Sequence, residues 1–440
     1  MAKCGTSESD ASLLANCREQ PTSFNTPVDN GGGHGAGTPL AGQRIKVVYV
    51  CQSPLTTRWL QNFCLDELVG KFDIEYWDCS PITKPSFKSR DVLSRPYVTV
   101  IDSLAGLAER LRTLPANALK VIDIERNKHN LPIHKTLAAQ SDLCINVNCY
   151  GAGLVMRAKV TVGSVARKIM QRRVVGYVYD KINRRMTAAK YKGLYKEYSI
   201  TSLRSSPSPY RINHPDYDRY LRSLSHIEPY RGVRYVVYID NYFPYHQEIL
   251  KREPRLNPAQ SGPKFYSSLN NFFDRIEKQM DCRVIIACHP LSSGHDDRFG
   301  QRERVYDKTA ELVKDSIGVC VHTSNAFSYI VLYDKPVALL WNAVYARAKS
   351  EFARLQAEAG RLGLPLVNTD CELPAAPTCV FTRIRSDIAD RYKKEYLIAS
   401  AGKSNASLYE RCFRQIYDKW NKATEYGASR KDADSCGPHI

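Results

Sequence analysis

The sequence predicts an α/β protein made of two Rossmann-like parallel-sheet halves facing a cleft, with C-terminal helices packing back on the first half. Two observations carry this expectation. Short apolar runs alternate with stretches of helical periodicity, which is the pattern of strands in a parallel sheet covered by helices. The alternation stops in a strongly basic segment, 151–234, and then starts again, so there are two series. A chain of 440 residues, 43% hydrophobic and 25% charged, holds two or three domains with ample core and is neither fibrous nor wholly disordered.

Residues 1–42 are small and polar, end in DNGGGHGAGTPLAG, and read as a disordered tail with too little apolar surface to offset the entropy of ordering. The first half spans 43–230. IKVVYVC (45–51) reads as a buried strand, LTTRWLQNFCLDELVG (55–70) as an amphipathic helix, and FDIEYWD (72–78) and YVTVID (97–102) as strands. SLAGLAERLRTL (103–114) is a helix opened by Ser103, ALKVIDI (118–124) a strand, and LCINVNC (143–149) the strand that closes the series.

The second half spans 231–375. RYVVYID (234–240), CRVIIAC (282–288), IGVCVHT (317–323) and KPVALLW (335–341) are its strands. The helices between them are FYSSLNNFFDRIEKQM (265–280), YDKTAELVKDS (306–316) and NAFSYIVLY (325–333). Residues 376–440 add terminal helices, including 386–400 and 405–423, that can return across the first half.

The charge is unusual: 63 Lys+Arg against 45 Asp+Glu give +18, which calls for an anionic partner. The segment 151–234 alone carries 18 basic and 5 acidic residues, interleaved with tyrosines. It reads as solvated helical faces, as a contact to an anionic membrane, or as a groove for a phosphorylated acceptor in which Arg184 and Arg185 are candidates. A nucleic-acid-binding protein using this stretch for phosphates and stacking is the alternative of another class. No recognised nucleic-acid-binding motif accompanies it, and nucleic acid is the less favoured partner.

The fourteen cysteines contain no C-x-x-C pair, so neither a zinc site nor a disulfide scaffold is indicated. Cys51, Cys144, Cys149, Cys282, Cys288 and Cys320 sit in apolar runs and read as small buried hydrophobes of a reducing cytoplasm. No run reaches the 18 apolar residues of a membrane span, and MAKCGTSESD lacks the apolar stretch of a signal peptide. The expected location is cytoplasmic, with a peripheral contact at the inner face of the plasma membrane. P-loop, G-x-G-x-x-G and H-E-x-x-H motifs are missing, which leaves P-loop, dinucleotide and zinc-protease chemistry without support.

Ligands of open parallel sheets bind beyond the carboxyl ends of the strands. Three loops of the second half stand there: 238–246, 287–295 and 321–328. His322, Thr323, Ser324 and Asn325 open a helix, where hydroxyls, free N–H groups and the helix dipole suit a phosphate; an ordinary N-cap uses the same residue types. His289 followed by Pro290 puts an imidazole on a stiff turn, able to donate to a phosphate oxygen or protonate a leaving group. Neighbouring strands would bring the two loops together. Asp240 reads as a general base, a ribose contact, a hinge residue or a plain turn-forming Asp, and His246 carries the same ambiguity as a secondary or acceptor residue. Asp216-Tyr217-Asp218 spells D-x-D but follows no strand, so no metal is assigned.

The runs YVVYIDNYFPYHQEI (235–249), CRVIIACHP (282–290) and VCVHTSNAFSYIVLYDKPV (319–337) resemble bacterial surface-carbohydrate biosynthesis proteins encoded with capsule and lipopolysaccharide genes, which are similar to GT-B glycosyltransferases. The His-Pro followed about 34 residues later by Thr-Ser resembles the motif pair of bacterial sialyltransferases and Kdo transferases. The family's acidic D/E-D/E-G motif has no counterpart in the first half. The resemblance implies a GT-B-like, metal-independent, inverting transferase without a cofactor. It would move a CMP-linked nonulosonic acid or Kdo to a surface glycan or lipid-linked acceptor. The second half would then be the nucleotide-sugar domain and the first the acceptor domain. His289, Pro290, His322, Thr323, Ser324 and Asn325 would bind the donor, with His289 and Asp240 catalytic. A nucleotide-sugar epimerase or a UDP- or dTDP-sugar transferase of the same architecture is the alternative.

Overall fold

The computed structural model describes residues 44–85, 91–140, 143–148, 185–187, 189–224, 232–292, 297–374 and 376–435. The expected tail at 1–42, Cys149, Arg184 and half of the basic segment lie outside them.

The first sheet contains β1 (Lys46–Cys51), β2 (Asp73–Asp78), β3 (Val98–Val100), β4 (Leu119–Asp123), β5 (Leu143–Asn148), β6 (Lys196–Thr201) and β7 (Tyr210–Arg211). All its pairings are parallel, in the order β3-β2-β1-β4-β5-β6-β7. The apolar run of β1 is continuous because both faces are covered. Val47, Tyr49 and Cys51 join one core cluster, while Val48 and Val50 join the cluster on the other face.

The expected helix 55–70 is two short helices, Thr57–Asn62 and Leu65–Leu68, broken where Cys64 takes a left-handed φ of 52°. Ser103 caps its helix as expected, accepting from the Gly106 N–H at 3.2 Å. β5 does not close the series. Two further strands follow, and β6, like β7, lies wholly in the stretch read as helical faces. Its burial is uneven, with Tyr198, Ile200 and Thr201 inside and Lys196 and Glu197 outside, so charge masked the strand.

The second sheet contains β8 (Tyr235–Ile239), β9 (Arg283–Ala287), β10 (Arg304–Val305), β11 (Gly318–Val321), β12 (Val337–Trp341) and β13 (Leu366–Asn368). Its order is β10-β9-β8-β11-β12-β13, also parallel throughout. Both sheets therefore reverse direction beside their first strand, as doubly wound folds do at their ligand crevice. The helix expected at 265–280 starts earlier, at Pro258, with Asn257 capping it.

The C-terminal helix Asn405–Ser435 returns to the first half, giving the GT-B-like arrangement. Leu408, Tyr409, Cys412, Phe413 and Ile416 form one helical stripe and are all buried with Tyr49, Phe63 and Phe72. Phe413 meets the Phe72 ring edge-on at 5.6 Å. Each such large side chain contributes about 1.5–3 kcal/mol by leaving water, and together they hold the terminal helix on the first sheet. Cys51, Cys144, Cys288 and Cys320 are buried and Cys282 is half-buried, all as free thiols. No helix among the described residues is long and apolar enough to cross a membrane.

Candidate active site

A cleft of about 690 Å³ lies at the carboxyl ends of the second sheet and is closed on its other side by the first half. Thr57, Arg58, Gln61 and Asn62, on the helix after β1, line it from the first half. His214 and one face of the helix Pro215–Ser223 that it caps (Pro215, Asp216, Arg219, Arg222 and Ser223) line it as well, as do the loops after β8, β9 and β11 from the second half.

The loops after β9 and β11 meet here, but not on neighbouring strands. β8 lies between them, so Asp240 at its end is central to the site.

Asp240 is 3% exposed. Burial pushes its carboxyl up to about 6, against the pull of the Tyr242 and His289 N–H groups, Arg298 and Ser292. Oδ1 accepts from the Tyr242 N–H at 2.9 Å, and Asn241 Oδ1 accepts from Phe243 N–H at 3.2 Å. These two Asx turns carry the chain through a left-handed Tyr242, φ 58°, into a cis Phe243-Pro244 bond. Asp240 thus shapes a turn and keeps an ionisable carboxyl at the cleft wall.

His289 lines the cleft beside Pro290. Its Nδ1 accepts from the Leu291 N–H at 3.2 Å, and its ring stacks on Tyr242 at 6.0 Å and 8°. Burial, with His246 and Arg58 nearby, lowers its pKa to about 4. The imidazole is therefore neutral at pH 7 with its proton on Nε2. His246 is set the same way: its Nδ1 accepts from the Glu248 N–H at 3.1 Å, and burial lowers its pKa. The two rings meet edge-on at 5.0 Å.

Thr323, Ser324 and Asn325 line the cleft, and Ser324 Oγ accepts from the Ala326 N–H at 3.1 Å. Thr323 turns its hydroxyl inward, 3.0 Å from the Tyr345 hydroxyl and 3.5 Å from Glu351 Oε2. His322 does not line the cleft. It is 1% exposed among Tyr238, Phe265 and Tyr345, its Nδ1 is 3.2 Å from the Tyr238 hydroxyl, and burial lowers its pKa to about 3. A histidine in an apolar strand end is core here, which corrects its expected donor contact. Arg185 is exposed and is not among the cleft residues.

The D-x-D carboxylates are consumed by protein donors. Asp216 accepts from the Ser328 and Tyr329 hydroxyls, the latter at 3.0 Å. Asp218 accepts from Arg222 at 2.5 Å and from the Asn405 N–H at 2.8 Å. Among the described residues no three His, Cys, Asp or Glu side chains converge as metal ligands would.

Several cleft residues had no sequence signal. Arg219 spans the halves, bonding Gln61 Oε1 and Asn62 Oδ1, each at 3.0 Å, on one side and the Tyr329 hydroxyl at 3.5 Å on the other. Glu351 is 1% exposed and receives Arg252 at 2.9 Å and Arg354 at 3.0 Å. Asp123, at the end of β4 and not among the residues lining the cleft, is pushed up to about 6 by burial, with Lys84 and Arg58 opposing.

No protein-family model matches the chain, and no curated protein sequence matches it. Solved structures are similar in fold. The glycosyltransferase SnogD from Streptomyces nogalater is 11% identical over 85% of this chain and 100% of its own, with a TM-score of 0.41. A UDP-N-acetylglucosamine 2-epimerase described as putative, from Listeria monocytogenes, is 11% identical over 86% and 97%, with a TM-score of 0.42. A variant of the wall teichoic acid polymerase TagF is 10% identical over 86% and 90%, with a TM-score of 0.47.

Proposed function

We propose that this protein is a metal-independent glycosyltransferase that moves a CMP-linked nonulosonic acid or Kdo onto a surface glycan or its lipid-linked precursor. The observation that carries the reading is the pair His289 and His246: two neutral imidazoles, each with Nδ1 taken by a backbone N–H, stand in a cleft between two Rossmann sheets. The protonated Nε2 of His289 is suited to donate to the phosphate oxygen on which charge develops as the sugar leaves.

In the reaction the acceptor hydroxyl oxygen forms a bond to the anomeric carbon while the bond from that carbon to the phosphate oxygen breaks. The hydroxyl proton passes to a carboxylate, and the nucleotide departs with the bonding electrons. Asp240, with a pKa near 6, is mostly ionised at neutral pH yet basic enough to accept that proton. Asp123 is the comparable acid of the first half. The basic segment 151–234 would hold the enzyme to an anionic inner membrane or a charged acceptor.

A thermal-shift panel of CMP, UDP, GDP and dTDP tests the reading. CMP is expected to raise the melting temperature of the wild type and not of His289→Ala. Stabilisation by UDP alone overturns the CMP-linked donor, and failure of all four overturns the transferase. Nucleotide release that needs an acceptor glycan separates a transferase from an epimerase, which turns over the donor alone.

A further inference from the structure

We propose that Arg252 and Arg354, held on the buried Glu351 carboxylate, form a subsite for a second anionic group of the donor, beyond the phosphate assigned to His289. The inference rests on the transferase reading and names a feature of its substrate.

Arg252 ends the short helix Gln247–Arg252, and Glu351 and Arg354 share the helix Lys349–Leu362. All three line the cleft, together with His246 and Thr323. Arg252 places Nε and one terminal nitrogen each 2.9 Å from Glu351 Oε1, and Arg354 reaches Oε2 at 3.0 Å. One carboxylate neutralises one guanidinium, so the group keeps a net charge of about +1 in a partly desolvated wall.

An interhelical tie needs only one arginine. Here Glu351 is 1% exposed whereas the two arginine side chains are 43% and 35% exposed. The acid is thus the hidden anchor and the cations are presented. Each guanidinium has five N–H donors, and the contacts to Glu351 use a minority of them. Neither arginine makes another ion pair among the described residues. The nearby acid Glu248 is paired with Lys251 at 2.8 Å. The Thr323 hydroxyl, 3.5 Å from Glu351 Oε2, ties this group to the Thr-Ser loop.

Two pre-set guanidinium forks fit a group with paired anionic oxygens. Such oxygens come from the β-phosphate of a nucleoside diphosphate or from the carboxylate of a sugar acid on a nucleoside monophosphate. Calorimetry on the full chain separates them, with CMP, CDP and the inert CMP-linked 3-fluoro-sialic acid as probes, and wild type, Arg252→Gln and Arg354→Gln as proteins. The ligand carrying the correct second anion is expected to bind wild type about ten-fold tighter than CMP, and each substitution to bring that ratio near one.

Melting curves like that of the wild type show that a variant is folded. A ratio near one in wild type, or a ratio that survives both substitutions, overturns the subsite. Binding of inorganic pyrophosphate that depends on Arg354, in a chain that binds no nucleotide, supports the subsite while overturning the transferase.

Discussion

Asn213 and Asn405 clasp each other where the chain passes between the two halves: the Asn213 N–H donates to Asn405 Oδ1 at 2.9 Å, and Asn405 Nδ2 donates to the Asn213 carbonyl at 3.0 Å. The Asn213 side chain is saturated as well. Its Nδ2 donates to the carbonyls of Ser400 and Lys403, and its Oδ1 accepts from the N–H groups of Ala399 and Ser400. One fully buried amide therefore joins the segment after β7 to the segment that precedes the C-terminal helix.

Asn213→Ala strands four backbone partners in a dry site. At about 1–3 kcal/mol for each buried group that water cannot reach, the melting temperature is expected to fall by several degrees. Asn213→Asp keeps the shape but replaces two donors with acceptors facing carbonyls, and should fall further. Calorimetric scans of both variants check this order.

Asp240→Asn separates the two roles of that carboxyl. The amide still accepts from the Tyr242 N–H, so the turn and the melting temperature are retained, while proton acceptance is lost. Turnover should drop about 10²–10⁴-fold, and the wild-type kcat/KM should rise with pH through about 6 as the carboxylate ionises. If Asp240→Asn keeps wild-type turnover and Asp123→Asn loses it, the base is the first-half carboxyl.

Stability should decline as pH falls from about 6.5 toward 4. His134 and His289 have folded pKa values of about 4 and His322 about 3, below the unfolded value. The unfolded chain takes up protons first in this window, and each such histidine costs about 1.4 kcal/mol per pH unit until its folded pKa is reached. Asp123 and Asp240 act in the opposite direction: raised to about 6, they favour the fold as pH drops from about 6 toward 4. Three groups outweigh two. His322→Phe, which keeps an aromatic ring among Tyr238, Phe265 and Tyr345, should flatten the melting temperature between pH 7 and 5.

Asp218→Ala removes the acceptor of the Asn405 N–H at the start of the C-terminal helix and leaves Arg222 without its 2.5 Å partner. The expected result is a lower melting temperature that manganese or magnesium does not restore. Metal-dependent rescue of activity would show that the D-x-D carboxylates bind a cation.

The strands most legible in the sequence are those buried on both faces, such as VVYVC in β1 and VVYI in β8, because a parallel sheet under helices demands unbroken apolar runs. The loops that follow β8, β9 and β11 were legible too, being polar immediately after such runs. β6 was not, since its first residues, Lys196 and Glu197, face outward and broke the pattern. His322 misled because an imidazole in sequence looks the same whether it faces a cleft or a core.

By itself the sequence determined the two α/β series, their strand-end loops and the polar residues those loops carry. Tertiary structure alone decided which of these residues share a space. It turned Thr323 inward to Glu351, buried His322, and placed Asp240 between the His289 and Thr323 loops. It also brought Arg252 to a carboxylate 99 residues away. The physical reason is that periodicity reports which face of an element is covered, whereas the meeting of distant side chains depends on strand order and helix packing, and neither leaves a local mark on composition.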